Sequence, residues 1–172
     1  ELAKLSAFDE GPKLAKEYLA RHGITLVIEK HFKRTFLDGA AMLDGDRPIV
    51  ALTLRHDRLD NFWFALLHEV AHVALHLTPA TPVFIDDLDR GNSELIEEEA
   101  DAMAQEALIP GAAWGTAKVR HTLTSNDAVT FADQLGVAPA LVAGRLRHEN
   151  KNYRLLNHLI GKTGQVSQIF SD

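Results

Sequence analysis

The sequence predicts an α+β fold, a small antiparallel or mixed sheet packed on two long helices and followed by a helical C-terminal segment. Residues 24–54 hold three β-rich runs, with a strong hairpin signal between two of them. Residues 62–110 hold two helical runs, and from about Leu123 onward the spacing is helical only. The order helix, sheet, helices does not suit a parallel doubly wound sheet. A chain of 172 residues, 46% of them hydrophobic, suits one core with an appendage. The expected division is an α+β body over residues 1–115 and a helix-turn-helix-like subdomain over 116–172, packed on it.

The first element is "GPKLAKEYLARHG". Pro12 sits where a first-turn proline is tolerated, Leu14, Tyr18 and Leu19 form an apolar stripe, and Gly23 can close the end. "ITLVIEK" follows as a strand. "TFLDGAAML" and "PIVALTL" are the next two, and Asp44-Gly45 between them predicts an antiparallel hairpin. Pro48 at a strand start points to a sheet edge. Asp60 or Asn61 can cap a helix from about Phe62 to the residues before Pro79, with Phe64, Leu67, Ala71 and Leu75 for the core. "TPATPVFIDDLDRGN" reads as a loop, and Asn92 or Ser93 starts a helix that ends at Pro110.

Charge and cysteine content narrow the chemistry. A formal charge of −6 argues against wholesale attraction to nucleic acid, where phosphate neutralisation dominates. With no cysteine there is no disulfide and no thiolate site, so any metal must be held by histidine and carboxylate. A cysteine-free chain fits the cytoplasm. No apolar run approaches the ~20 residues that span a bilayer, and "ELAKLSAFDE" lacks the basic and apolar regions of a signal peptide. The chain opens on Glu1 rather than methionine, as expected of a piece of a longer protein.

"HEVAHVALH", His68 to His76, carries the chemistry. Residues four apart share a helix face, so His68 and His72 can each offer a ring nitrogen to one ion. Glu69, one position round the helix, is placed to take a proton from water acidified by that ion. His76 is eight residues from His68, about 12 Å of helix, too far to share the ion. The long zinc motif with a third histidine needs a glycine and a histidine where this chain has Leu75 and Thr78. His76 therefore reads as a helix-end residue, where a partly charged imidazole is favoured.

A carboxylate from the next helix is the alternative third ligand. Periodicity leaves Glu97, Glu98 and Glu99 open, and favours Glu97 because Asp101 lies one turn on. Asp101 would orient a ligand histidine by accepting its other N–H. Glu98, Glu99 and Glu106 read as solvated charge.

The segments "FWFALLHEVAHVALHL" and "IEEEADAMAQEALIP" together resemble the ImmA/IrrE metallo-endopeptidases, zinc peptidases with a glutamate third ligand (gluzincins). That family's second motif, roughly E-x-E-A-N/D-x-F-A-x-x-L-L-M-P, is matched by Glu97, Glu99, Ala100, Asp101, Ala104, Leu108 and Pro110. Met103 stands in place of phenylalanine, and Ala107 and Ile109 replace other apolar residues. The resemblance places the ligand on Glu97, 25 positions after His72. It implies a zinc-dependent endopeptidase, with manganese or iron accepting the same donors. It further implies a protein substrate, a helix-turn-helix transcriptional repressor cleaved in a stress or mobile-element response. It also implies an N-terminal DNA-binding domain in the full-length protein, with DNA contact there rather than in this stretch.

Beyond residue 116, Ala132, Gly136 and Val142 have helix-turn-helix spacing. Packing or substrate positioning is the expected role, ahead of nucleic-acid contact. His148, Arg145, Arg147 and Tyr153 are candidates for stabilising the oxyanion of a peptidase reaction or contacting substrate. The strand pair around "LDGAAML" is a candidate edge for an extended substrate. The competing reading is a metal-containing sensor or interaction module without hydrolysis, and retention of Glu69 favours catalysis over it.

Overall fold

The computed structural model describes residues 1–31, 36–85 and 93–171. It is α+β, as expected. A 3-10 turn, Leu2–Ala7, precedes α1 (Gly11–Arg21), with Pro12 in its first turn and Ala15 and Leu19 in the core. Gly23 ends the helix at φ +80°, a conformation that costs glycine little.

The sheet comprises β1 (Thr25–Glu29), β2 (Gly39–Asp44), β3 (Arg47–Thr53) and β4 (Val83–Ile85), in the order β1-β3-β2-β4. β1 runs parallel to β3, while β2 is antiparallel to both β3 and β4. The hairpin register pairs Asp44 with Arg47. Gly45, first in the two-residue loop, has φ +61°, matching the type II′ preference for glycine there.

Two expectations change. β3 is a central strand, so Pro48 does not mark an edge. Leu43 turns its N–H to the Pro82 carbonyl (2.8 Å), so the Leu43–Pro48 pair is not hydrogen-bonded, and the β1 register begins only at Ile49. Proline's missing donor therefore costs no ladder bond. β4 lies inside the stretch expected to be loop: its three residues are too few to show a period, and its pairing with β2 is non-local. Residues 86–92 of that loop, with the Asn92 cap, lie outside the described residues.

α2 (Leu59–Leu75) is the central helix, packed against β2, β3, α3 (Ser93–Leu108) and α7 (Pro139–Glu149). It starts earlier than expected, with Arg58 at the cap position and Asp60 in the first turn, where Arg58 Nε donates to Asp60 Oδ1 at 3.0 Å. Being covered on several sides, it buries more than one stripe. Phe62, Trp63, Leu66, Leu67 and Ala71 are buried, Phe64 is half-buried, and Leu75 is exposed.

Short helices α4 (Gly111–Gly115) and α5 (Val119–Thr122) lead to α6 (Ser125–Leu135), α7 and α8 (Gln165–Ile169). The α6–α7 pair has the expected helix-turn-helix form. Ala132 and Val142 are fully buried, and Gly136 turns the chain at φ +68°. Ala140, Leu141, Val142, Ala143 and Leu146 of α7 are buried, and the helix lies on α2. Ser6 Oγ accepts from Ala138 N–H at 2.9 Å, tying this turn to the start of the chain. Among the described residues, no helix is long and apolar enough to cross a membrane.

Candidate metal centre

His68, Glu69 and His72 sit mid-α2, where α3 crosses it. Ala100 and Ala104 are fully buried in that crossing, and their small side chains let the helices approach closely. Glu97 and Asp101 share the same α3 stripe, so they face the histidines. His68 is 7% exposed, and Glu69 and His72 are fully enclosed.

Three atoms converge. His68 Nε2 lies 3.0 Å from His72 Nε2 and 3.1 Å from Glu97 Oε2, and His72 Nε2 lies 3.6 Å from Glu97 Oε2. Three corners of a tetrahedron with ~2.0–2.1 Å bonds would be about 3.3–3.4 Å apart. The triangle therefore fits a divalent ion held by two imidazoles and one carboxylate, and these three form a metal-competent group. The expected triad comes together.

The backing of each ligand differs. His68 Nδ1 lies 2.9 Å from Asp101 Oδ1, an acceptor for the Nδ1 proton that a histidine binding metal through Nε2 would carry. His72 Nδ1 lies 3.0 Å from His76 Nδ1, and His76 Nε2 lies 3.2 Å from Glu99 Oε2. Phe84 of β4 stacks on the His72 ring at 5.2 Å between centroids, with 13° between planes. His76 does end α2, but its ring turns back onto His72 rather than into solvent. Glu99 is 68% exposed, as expected of a solvated charge, and its Oε2 also reaches His76.

Glu69 is shaped by β2. A Cβ built on Gly39 would lie 2.3 Å from Glu69 Oε1, 2.7 Å from Cγ and 2.8 Å from Cδ. Only a residue without a side chain leaves the carboxylate its place. An isolated glycine in a strand does signal close approach, but the sequence does not say of what.

A cleft between the end of β3 and the first half of α2 reaches His68, walled by Leu52, Leu54, Phe62 and Phe64, with His56 and Asn61 on its polar side. The four C-terminal candidates do not line it. Arg145 donates to the Ile109 carbonyl (2.9 Å) and to Glu149 (3.2 Å), with its guanidinium 4.6 Å above the Trp114 ring. Arg147 is 5% exposed and donates to the Tyr153 carbonyl. Burial, then the nearby Arg58 charge, lowers its pKa, and Asp60 opposes the fall. His148 and Tyr153 are exposed on the surface. Clustered basic residues in sequence say nothing about which carbonyls and rings absorb them.

An H-E-x-x-H helix, a glutamate from the following helix and a small mixed sheet define a metallopeptidase of the glutamate-ligand type. Residues 19–147 match the peptidase M78 family, described as the IrrE N-terminal-like domain, and the chain belongs to that family. No curated protein matches the chain.

Proposed function

We propose that this chain is a zinc-dependent endopeptidase that cleaves a helix-turn-helix transcriptional repressor in the cytoplasm, as part of a stress or mobile-element response. The observation that carries the catalytic part is the convergence of His68 Nε2, His72 Nε2 and Glu97 Oε2 beside the enclosed Glu69 carboxylate. The repressor substrate rests on resemblance to the ImmA/IrrE peptidases alone, an argument by analogy.

In this reading His68, His72 and Glu97 hold the ion, which when bound supplies Lewis acidity toward water and the scissile carbonyl. Glu69 takes a proton from the attacking water on its carboxylate and delivers it to the leaving amide nitrogen. Asp101 keeps the His68 proton on Nδ1. The substrate lies extended along the sheet edge. β2 and β3, the strand pair first expected, are both internal, so that edge is β4 beside β2. Residues 116–172 serve as a helical brace, α7 holding the first turns of α2.

The test is Glu69→Gln against wild type, with metal content and cleavage of the repressor encoded beside the gene both measured. One equivalent of metal in each protein, with cleavage reduced about 10²–10⁴-fold in the variant, is expected. Full cleavage by the variant would sink the mechanism. A metal-loaded wild type that cleaves neither that repressor nor a general protein substrate would favour the non-hydrolytic sensor.

A further inference from the structure

We propose that His76, anchored by Glu99, is a positioning residue for the metal ligand His72, completing a hydrogen-bonded chain that ends on a carboxylate. The proposal rests on the metal-centre reading above and assigns work to two residues outside the ligand set.

His72 Nδ1 and His76 Nδ1 stand 3.0 Å apart, and only one of them can carry the proton between them. His72 Nε2 points into the ligand triangle, 3.0 Å from His68 Nε2 and 3.6 Å from Glu97 Oε2. A ligand nitrogen must present a bare lone pair, so the His72 proton belongs on Nδ1 and is donated to His76. His76 Nδ1 is then the acceptor, and the His76 proton belongs on Nε2. That nitrogen faces Glu99 Oε2 at 3.2 Å, and a carboxylate can only accept. Each tautomer fixes the next, and the order runs His72 to His76 to Glu99.

The surroundings enclose the two imidazoles, while the Glu99 side chain at the end of the chain is 68% exposed. The His76 side chain is 8% exposed. Phe84 stacks on His72 and lies tilted 51° against His76, 5.7 Å between centroids, so one aromatic ring covers both imidazoles. His76 lies one turn beyond His72, and its N–H also caps the His72 carbonyl at 3.0 Å. The two ligand histidines are thus backed differently. His68 leans on Asp101 directly, whereas His72 leans on a carboxylate at one imidazole's remove. α3 supplies all three carboxylates: Glu97 as a ligand, Asp101 behind His68 and Glu99 behind His76.

The experiment measures zinc affinity of the whole chain by competition with a chromophoric chelator, comparing wild type, His76→Leu, His76→Asn, Glu99→Gln and Glu97→Gln. Leucine fills the space without an acceptor, whereas the asparagine amide oxygen stands where Nδ1 was. His76→Leu is expected to weaken zinc binding about 10–100-fold, the range for lost outer partners of a ligand histidine. His76→Asn should recover most of that loss, and Glu99→Gln should fall between wild type and His76→Leu. Nitrogen-15 NMR of histidine-labelled, zinc-loaded wild type should show His72 protonated on Nδ1 and His76 on Nε2. Unchanged affinity in His76→Leu, an asparagine variant as weak as the leucine one, or the opposite tautomer at His76 would each overturn the proposal. If Glu97→Gln binds zinc as wild type does, the metal-centre reading itself fails, an outcome distinct from any of these.

Discussion

Gly39→Ala separates the base from the metal. The added Cβ would lie 2.3 Å from Glu69 Oε1, with Cγ and Cδ also inside 3 Å. Ordinary contact needs about 3.5 Å. The carboxylate must therefore retreat by about 1 Å, and rotating the end group alone does not help because Cγ is crowded too. α2 is locked between the sheet, α3 and α7, so the side chain rather than the helix gives way. A misplacement of ~1 Å at a reacting group costs about 10²-fold, or about 2.7 kcal/mol of transition-state stabilisation. The three nearest contacts of that Cβ all belong to Glu69, so zinc affinity should stay at the wild-type value. Overpacking of ~1–3 kcal/mol lowers the melting temperature without unfolding the protein. The assay pairs kcat/KM on a cleavable protein substrate with chelator competition for zinc. In a Glu69→Gln background the same change should add little, because the two act on one group. Wild-type turnover in Gly39→Ala would refute the reasoning, as would a loss of zinc in step with the loss of activity.

Three other outcomes follow from the C-terminal half. Trp114 is 3% exposed, donates to Glu149 at 2.7 Å and carries Arg145 on its face, so Trp114→Ala should cost about 3–5 kcal/mol. Calorimetry should show a melting temperature lower by about 10 °C, at ~2–4 °C per kcal/mol for a chain of this size. A shift of a degree or two would show the tryptophan to be dispensable. Asp127 is held down to about 2 by hydrogen bonds from Thr122, Lys118 and Thr124. A depressed carboxylate stabilises the fold above its unfolded value of about 3.9, and that contribution fades as pH falls toward the folded value. Asp127→Asn should therefore melt below wild type at pH 7 and converge with it near pH 2, and equal melting at pH 7 would contradict the assignment. Because α7 is buried on α2, titration with duplex DNA should show only weak binding that vanishes as salt rises, whereas a saturable, sequence-dependent complex would reopen the groove-binding role.

What the sequence exposed and what it hid divide along local and non-local lines. The H-E-x-x-H helix and the Glu97 helix were legible because each advertises itself within one helical period. The hairpin was legible because Asp44-Gly45 is a local turn signal. β4 was not, since three residues acquire strand character only by pairing with Met42, Ala41 and Ala40, more than forty positions earlier in the chain. His76 shows the same limit more sharply. Helix rise rightly kept it out of the ligand set, but that asked only whether it could touch the ion, not whether it could touch His72 one turn back. Glu99 was judged on its own helix, where it faces outward, and its reach to α2 depends on the crossing of two helices. Arg145 and Arg147 gave the sequence a basic cluster, yet Trp114, Ile109 and Tyr153 take up what they offer.

The distribution of these partners explains why so short a motif needs the rest of the fold. His68, Glu69 and His72 come from one turn of α2, and helix geometry alone aligns only their backbones. Each side chain is then set by a different neighbour: His68 by Asp101 of α3, Glu69 by the bare backbone of Gly39 in β2, and His72 by Phe84 of β4 together with His76. Asp57, in the loop that feeds α2, is held from the far end of the chain. Its carbonyl accepts from Gly164 at 3.0 Å and its carboxylate from Ser167 N–H at 2.9 Å. The site is therefore over-determined by independent contacts, and losses at it should be separable. Changes at Gly39 should cost turnover but not metal, changes at His76 and Asp101 should cost metal affinity, and changes at Trp114 should cost stability alone. A metal site carried by α2 in isolation would let none of these distinctions appear, because in it every perturbation would act through the same loss of helix.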